Sequence, residues 1–324
     1  MTRVNILTGF LGSGKTTTLL HLLAHKPADE KWAILVNEFG EIGIDGALLA
    51  DRGATLKEIP GGCLCCVNGF PLQVGLNMLL KQNQPDRVII EPTGLGHPKQ
   101  LLTLLRSAVY QPWITVEATL TLLDPRQLAD ARIAENHTFR DQLTAADIII
   151  ANKRDRWSDD DRARLTDWQR HSLGDRTLVE TAWGEIDPTL LQQSALADRA
   201  IPDAIHHAHA APRNGLAALK LDNSARWRRA LNEGQGYASC GWIFDGETVF
   251  DTIAALEWAR HAPVDRVKGV LRTPDGVVTI NRQGDDLFIE TRPTSPPDSR
   301  IELIHHQPAD WNSLQTALLK IRLN

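Results

Sequence analysis

Three short stretches of this chain carry residue types and spacings that could do chemistry. The first is Gly9-Phe10-Leu11-Gly12-Ser13-Gly14-Lys15-Thr16, which fits the pattern G-x-x-x-x-G-K-[ST]. Glycines at these positions let the backbone curl until its N–H groups converge on phosphate oxygens at a helix N-terminus. Gly9, Gly12, Ser13, Gly14, Lys15, Thr16 and Thr17 are the expected phosphate contacts. Lys15 is placed to bridge the β- and γ-phosphates, and the Thr16 hydroxyl to hold Mg²⁺. The second is Asn152-Lys153-Arg154-Asp155, an N-K-x-D element. An aspartate at that point accepts both the N1–H and the N2–H₂ donors of guanine, which adenine lacks. Asn152, Lys153 and Asp155 are thus the expected guanine contacts, and GTP or GDP the expected ligand.

The third is Pro60-Gly61-Gly62-Cys63-Leu64-Cys65-Cys66, which holds three of the four cysteines. So tight a group is a poor disulfide framework and reads as metal or redox chemistry in a reducing compartment. Three thiolates supply up to three ligands and leave one tetrahedral position open, whereas closed structural zinc sites use four. Thiolates suit Zn²⁺, Cu⁺ and Fe–S clusters, so the donor type narrows the metal without fixing it. A redox sensor and inert packing cysteines are the competing readings. Cys240 stands alone and reads as a small buried hydrophobe.

A fourth stretch, Val88-Ile89-Ile90-Glu91-Pro92-Thr93-Gly94, is an apolar strand ending in an acid, with glycine three residues on. Glu91 is expected to act on the metal through water and the Gly94 N–H to sense the γ-phosphate. Lys15, Thr16 and Glu91 are therefore the expected catalytic set. Leu95 follows Gly94 where many small GTPases carry a water-positioning glutamine, which implies slow unaided hydrolysis.

Elements must position these residues. Strands are expected at Val4–Leu7, Trp32–Asn37, Arg87–Glu91, Ala118–Leu123 and Ile148–Asn152, and helices at Thr17–Ala24 and Leu72–Lys81, while Thr55–Ile59 leads into the cysteine loop. Continuous apolar runs such as Ile148-Ile149-Ile150 suit a parallel sheet buried on both faces. The alternation predicts an α/β, doubly wound, mostly parallel domain over 1–199, which the Gly9–Thr16 and Asn152–Asp155 motifs mark as an expected P-loop GTPase domain. Residues 200–214 contain two prolines and His206, His207 and His209, and read as a linker that could capture metal. Residues 215–324 read as a smaller α+β domain. Its expected strands are Tyr237–Phe244, a hairpin of Asp265–Arg272 with Val277–Asn281, Asp286–Thr291 and Arg300–His305; its helices are Thr248–His261 and Trp311–Ile321.

The motifs occur in the order found in the CobW-type GTPase metallochaperones, which the chain resembles. The stretch Asn37-Glu38-Phe39-Gly40-Glu41-Ile42-Gly43-Ile44-Asp45 is similar to that family's switch segment. Arg266-Val267-Lys268-Gly269 extends the resemblance into the C-terminal domain. The resemblance implies a GTPase that binds zinc through Cys63, Cys65 and Cys66, with Glu38 as a further ligand, and passes it to a client apoprotein. A metal buffer, a regulatory GTP switch and cobalt delivery toward corrin synthesis are the alternatives. A long His-rich run found in some relatives is absent here.

Composition agrees with such a protein. Of 324 residues, 42% are apolar and 23% charged, and 40 acidic against 35 basic residues give a net charge of −5. That balance excludes a large basic footprint, so no nucleic-acid partner is expected. Without a ~20-residue apolar run no membrane partner is expected either, and the location implied is cytoplasmic. A homodimer is compatible with the pattern.

Overall fold

The computed structural model describes residues 1–37, 53–59, 70–196, 226–234, 236–292 and 298–324. Glu38, Cys63, Cys65, Cys66, the linker 200–214 and its histidines lie outside the described residues. The chain divides into two compact units, each with its own sheet.

The N-terminal unit is built on strands β1 (Thr2–Gly9), β2 (Trp32–Asn37), β3 (Thr55–Ile59), β4 (Arg87–Glu91), β5 (Ile114–Leu123), β6 (Ile148–Ala151) and β7 (Thr177–Glu180). They lie in the order β3-β2-β4-β1-β5-β6-β7, and every neighbouring pair is parallel. The helices are α1 (Lys15–Ala24), α2 (Phe70–Asn83), α3 (Pro98–Leu105), the short α4 (Ala131–Ala134), α5 (His137–Ala145) and α6 (Asp159–Ser172). Strand alternation divides the core into two layers. Val4, Ile6, Val88 and Ile90 pack with Leu72, Leu76, Leu101 and Leu105 of α2 and α3. Leu7, Ile89, Ile148 and Ile150 pack with Leu19 and Leu22 of α1. Helices therefore cover both faces, as the unbroken apolar runs require.

The C-terminal unit is a six-stranded sheet in the order β12-β11-β10-β13-β9-β8, antiparallel throughout. Its strands are β8 (Trp227–Gly234), β9 (Tyr237–Phe244), β10 (Arg266–Thr273), β11 (Gly276–Gln283), β12 (Asp286–Arg292) and β13 (Ser299–His305). Helices α7 (Thr252–His261) and α8 (Trp311–Lys320) contribute Ala255, Ala259, Leu314 and Leu318 to a core with Trp242, Phe244 and Phe250. Cys240 is fully buried in that core, and burial pushes its thiol up to about 12.

Several boundaries differ from the sequence reading for local reasons. Helix α7 begins at Thr252 rather than Thr248, because Asp251 caps it by accepting from the Ala254 N–H at 2.8 Å. Thr248 is engaged elsewhere: its N–H and hydroxyl both donate to Asp245, at 2.8 and 2.6 Å. Strand β6 ends at Ala151, one residue short of Asn152. Helix α2 extends by two residues at each end, and β5 starts four residues earlier, at Ile114. Strands β7 and β8 were not anticipated at all.

Candidate functional site

An all-parallel sheet brings the C-terminal ends of its strands to one edge, and ligands of such sheets bind there. Gly9, Glu91 and Asn152 all stand at or just beyond the ends of strands β1, β4 and β6. Residues far apart in sequence thereby reach one edge.

The loop between β1 and α1 takes backbone angles that demand glycine. Gly9, Gly12 and Gly14 have φ of +145°, +76° and +105°. A Cβ on Gly9 would stand 2.6 Å from the Leu122 carbonyl oxygen, and one on Gly14 would collide with Asn152 Nδ2. Gly14 is also the N-cap of α1, with no side-chain cap and no acidic residue in the first turn. Helix-terminal N–H groups left in this condition are suited to an anion. Lys15 is 7% exposed, and its Nζ donates to the Gly9 carbonyl at 3.0 Å, holding the ammonium against the loop. Thr16 is buried in the first turn.

The turn after β4 abuts this loop. A Cβ on Gly94 would stand 2.8 Å from Leu11 Cδ2 and 3.0 Å from the Leu11 backbone nitrogen, so a larger residue would push the two loops apart. Glu91 and Leu95 are both buried. Two glutamines fix the arrangement. Gln142 Nε2 donates to the carbonyls of Gly94 and Gly96 at 3.1 and 3.0 Å, and Gln127 Nε2 donates to the Leu11 carbonyl at 2.7 Å. Further along, buried His97 accepts from the Lys99 N–H at Nδ1 and lies 2.9 Å from Asp141 through Nε2. With Nδ1 accepting, Nε2 carries the proton given to Asp141.

The element after β6 has a different internal division of labour from the one its sequence suggests. Asn152 is 2% exposed and its amide is committed at both ends. Its Nδ2 donates to the Ser13 carbonyl at 3.0 Å, and its Oδ1 accepts from the Gly184 N–H at 3.0 Å. It ties the phosphate-type loop to the turn after β7. Lys153 adopts φ +63° and pairs with buried Asp124 at 3.3 Å. Asp155 keeps 28% of its side chain accessible and lies 3.7 Å from Arg156. The turn after β7 completes the edge: a Cβ on Gly184 would meet the Thr18 backbone nitrogen at 2.8 Å, so this turn lies on α1. Trp183, 53% exposed, is covered by the Arg156 guanidinium 6.0 Å from its ring centre.

Gly9, Ser13, Gly14, Lys15, Gly94 and Asn152 are thus gathered by contacts among themselves or with shared neighbours, and Thr16 follows them in the first turn of α1. Glu91, Lys153 and Asp155 lie at the same sheet edge. Sequence reasoning missed Gln127, Gln142, Asp124 and the Trp183-Gly184 turn. A glycine just beyond a short β-branched run, as in Thr177–Gly184, was the available signal for the last of these.

The family described as CobW/HypB/UreG, nucleotide-binding domain, matches residues 3–180. The chain belongs to the CobW/HypB/UreG family. The zinc chaperone YeiR of Escherichia coli (strain K12) is 63% identical over 324 residues, which is 100% of this chain and 99% of that protein. The zinc chaperone CobW of Pseudomonas aeruginosa is 31% identical over 242 residues, 64% of each protein. A crystal structure of Zn(II)-bound YjiA GTPase from E. coli is 19% identical, covers 99% of both chains and superposes with a TM-score of 0.45. In this CobW/HypB/UreG chain the matched span contains the glycine loop, the Gly94 turn and the Asn152 element. Among the described residues no helix is long and apolar enough to cross a membrane.

Proposed function

We propose that this chain is a GTP-hydrolysing zinc chaperone whose nucleotide state sets its affinity for zinc. The observation that supports the hydrolase reading is the close approach of Gly94 to the Leu11 backbone; in this reading the Gly94 turn would sense a γ-phosphate held by the glycine loop. Lys15 would neutralise charge on the β- and γ-phosphates, and the loop and α1 N–H groups would hold their oxygens. Thr16 and Glu91 are hard oxygen donors and fit Mg²⁺, Thr16 directly and Glu91 through water. Such an ion supplies charge stabilisation on the phosphates. Asp155 would read guanine, while Asn152 holds the two loops that flank it. Leu95 leaves no side chain to orient attacking water, so turnover should be slow.

Zinc is the cargo in this reading. Three thiols within Cys63–Cys66, joined by Glu38, suit a soft, exchangeable site with room for a client's ligand. The relatives named zinc chaperone support that choice of metal. The cytoplasm, where thiols stay reduced, is the compartment proposed. Phosphate release measured with GTP and with ATP tests the nucleotide assignment: hydrolysis of GTP alone is expected, and equal use of both would overturn it. A regulatory switch that hands on no metal is the second reading, favoured by Leu95. A client apoprotein that gains zinc only while GTP is present decides against that switch.

A further inference from the structure

We propose that Asp265, His305 and His306 form a second, thiol-free site in the C-terminal unit, for a divalent transition-metal cation of the Zn²⁺ type. It does not depend on the nucleotide reading. Strand register makes the cluster. Strands β10 and β13 run antiparallel with Arg266 opposite Ile304, so Asp265, one residue before β10, falls beside the His305 end of β13. Successive side chains in a strand point to opposite faces. Strand β13 ends at His305, and the two rings come together with centres 4.4 Å apart.

The donor atoms already have the spacing of a metal site. Asp265 Oδ2 lies 3.2 Å from His305 Nδ1 and 2.8 Å from His306 Nδ1. One ligand atom from each residue falls within 4.8 Å of the others. A tetrahedral zinc with bonds of about 2.0–2.1 Å holds neighbouring ligand atoms about 3.3 Å apart, so only small shifts are needed. The carboxylate is anchored by the His306 backbone N–H at 2.7 Å, and the Asp265 carbonyl by the Gly284 N–H at 2.9 Å. His305 Nδ1 is shielded from solvent, yet makes no hydrogen bond among the described residues. A carboxylate that merely capped the strand end would account for the His306 N–H. It would not account for two imidazole nitrogens turned on one oxygen.

Chemistry then selects the occupant. Two imidazoles and one carboxylate form an open zinc-type set with a fourth position for water or an incoming ligand. Nitrogen donors disfavour Mg²⁺ and Ca²⁺, and the lack of sulfur disfavours Cu⁺. All three residues are only partly buried, so an ion can enter without unfolding. The Arg282 guanidinium exerts its charge on Asp265 and should keep this site weaker than three thiolates.

The test uses the full chain with Cys63, Cys65 and Cys66 changed to serine, titrated with Co²⁺ by absorption and with Zn²⁺ by calorimetry. One equivalent is expected, with tetrahedral d–d bands and no thiolate charge-transfer band. His305→Phe and His306→Phe should each weaken binding more than about tenfold, and Asp265→Asn about tenfold. Changing His206, His207 and His209 to alanine should leave it unchanged. Where a variant loses its fold by circular dichroism, imidazole NMR shifts on adding Zn²⁺ to the triple-serine parent replace it, and His305 and His306 must move. No binding by the triple-serine chain overturns the proposal, as does binding that survives His305→Phe with His306→Phe.

Discussion

The two sheets differ in how they assemble chemistry. In the N-terminal unit every strand runs the same way, so a single edge receives the loops that follow β1, β4, β6 and β7. Residues as distant as Ser13 and Asn152, or Gly94 and Gln142, meet there. In the C-terminal unit neighbouring strands run in opposite directions, and each edge collects only ends of adjacent strands. The Asp265–His305–His306 group joins just β10 and β13. A parallel sheet can therefore build a large site from many short motifs, at the cost of needing close backbone approaches. The antiparallel sheet builds small clusters and tolerates side chains at its turns.

The sharpest way to break that contrast is Lys15→Ala. It removes one charge from the phosphate cradle without touching the core, and phosphate release should fall by at least about 100-fold. The melting temperature should stay near that of the parent; turnover at the parent rate would remove the cradle assignment.

Gly14→Ala compares the two regions directly with Gly236→Ala. Both glycines have positive φ, +105° and +78°, but Asn152 leaves no room at Gly14 whereas nothing lies within 4 Å of the added Cβ at Gly236. Gly236→Ala should cost only about 1–2 kcal/mol of backbone strain. Gly14→Ala should cost more and also weaken nucleotide binding over tenfold, about 1.4 kcal/mol or more. Chemical denaturation and nucleotide titration of the two variants would show whether crowding is confined to the parallel edge. Equal penalties would refute it.

Asp155→Asn should relax preference for GTP over other purine nucleotides by about tenfold or more, because one carboxylate loses two guanine donors. Nucleotide competition measures this, and an unchanged preference counts against base reading by Asp155. The smallest effect expected is at Glu30. Burial opposes its charge, but hydrogen bonds from Trp32 and Arg3 and the charges of Arg3 and Arg87 outweigh burial and hold its pKa below the usual 4.5. The folded chain thus keeps Glu30 ionised where the unfolded chain takes up a proton. Its stabilisation is complete above about pH 4.5 and is lost as pH falls through the lowered folded value. Glu30→Gln should flatten that part of a denaturation-versus-pH curve; an identical curve would show the pair contributes nothing.

What the sequence revealed follows the same division. Val88-Ile89-Ile90 is legible because both faces of that strand are buried, leaving no polar position to obscure it. Strand β8, Trp-Arg-Arg-Ala-Leu-Asn-Glu-Gly, lies at the sheet edge with one residue buried, so its polar composition hides its state. The glycine loop is legible because its chemistry is local. Gln127 and Gln142 are not, since their partners lie 116 and 46–48 residues away and only the fold brings them together. Asn152 was found, but its bonds to Ser13 and Gly184 were hidden for the same reason. Asp265 and His305 become neighbours only through strand register.

Whether nucleotide state sets zinc affinity is decided by a chelator competition for Zn²⁺ in the GTP- and GDP-bound states. Cys63, Cys65 and Cys66 lie in sequence between the phosphate loop and Gly94, within the stretch where GTPases place segments ordered by the γ-phosphate. Zinc should bind about 5–150-fold more tightly with GTP, and GTP should tighten by the same factor when zinc is present. Equal zinc affinity in the two states would contradict it.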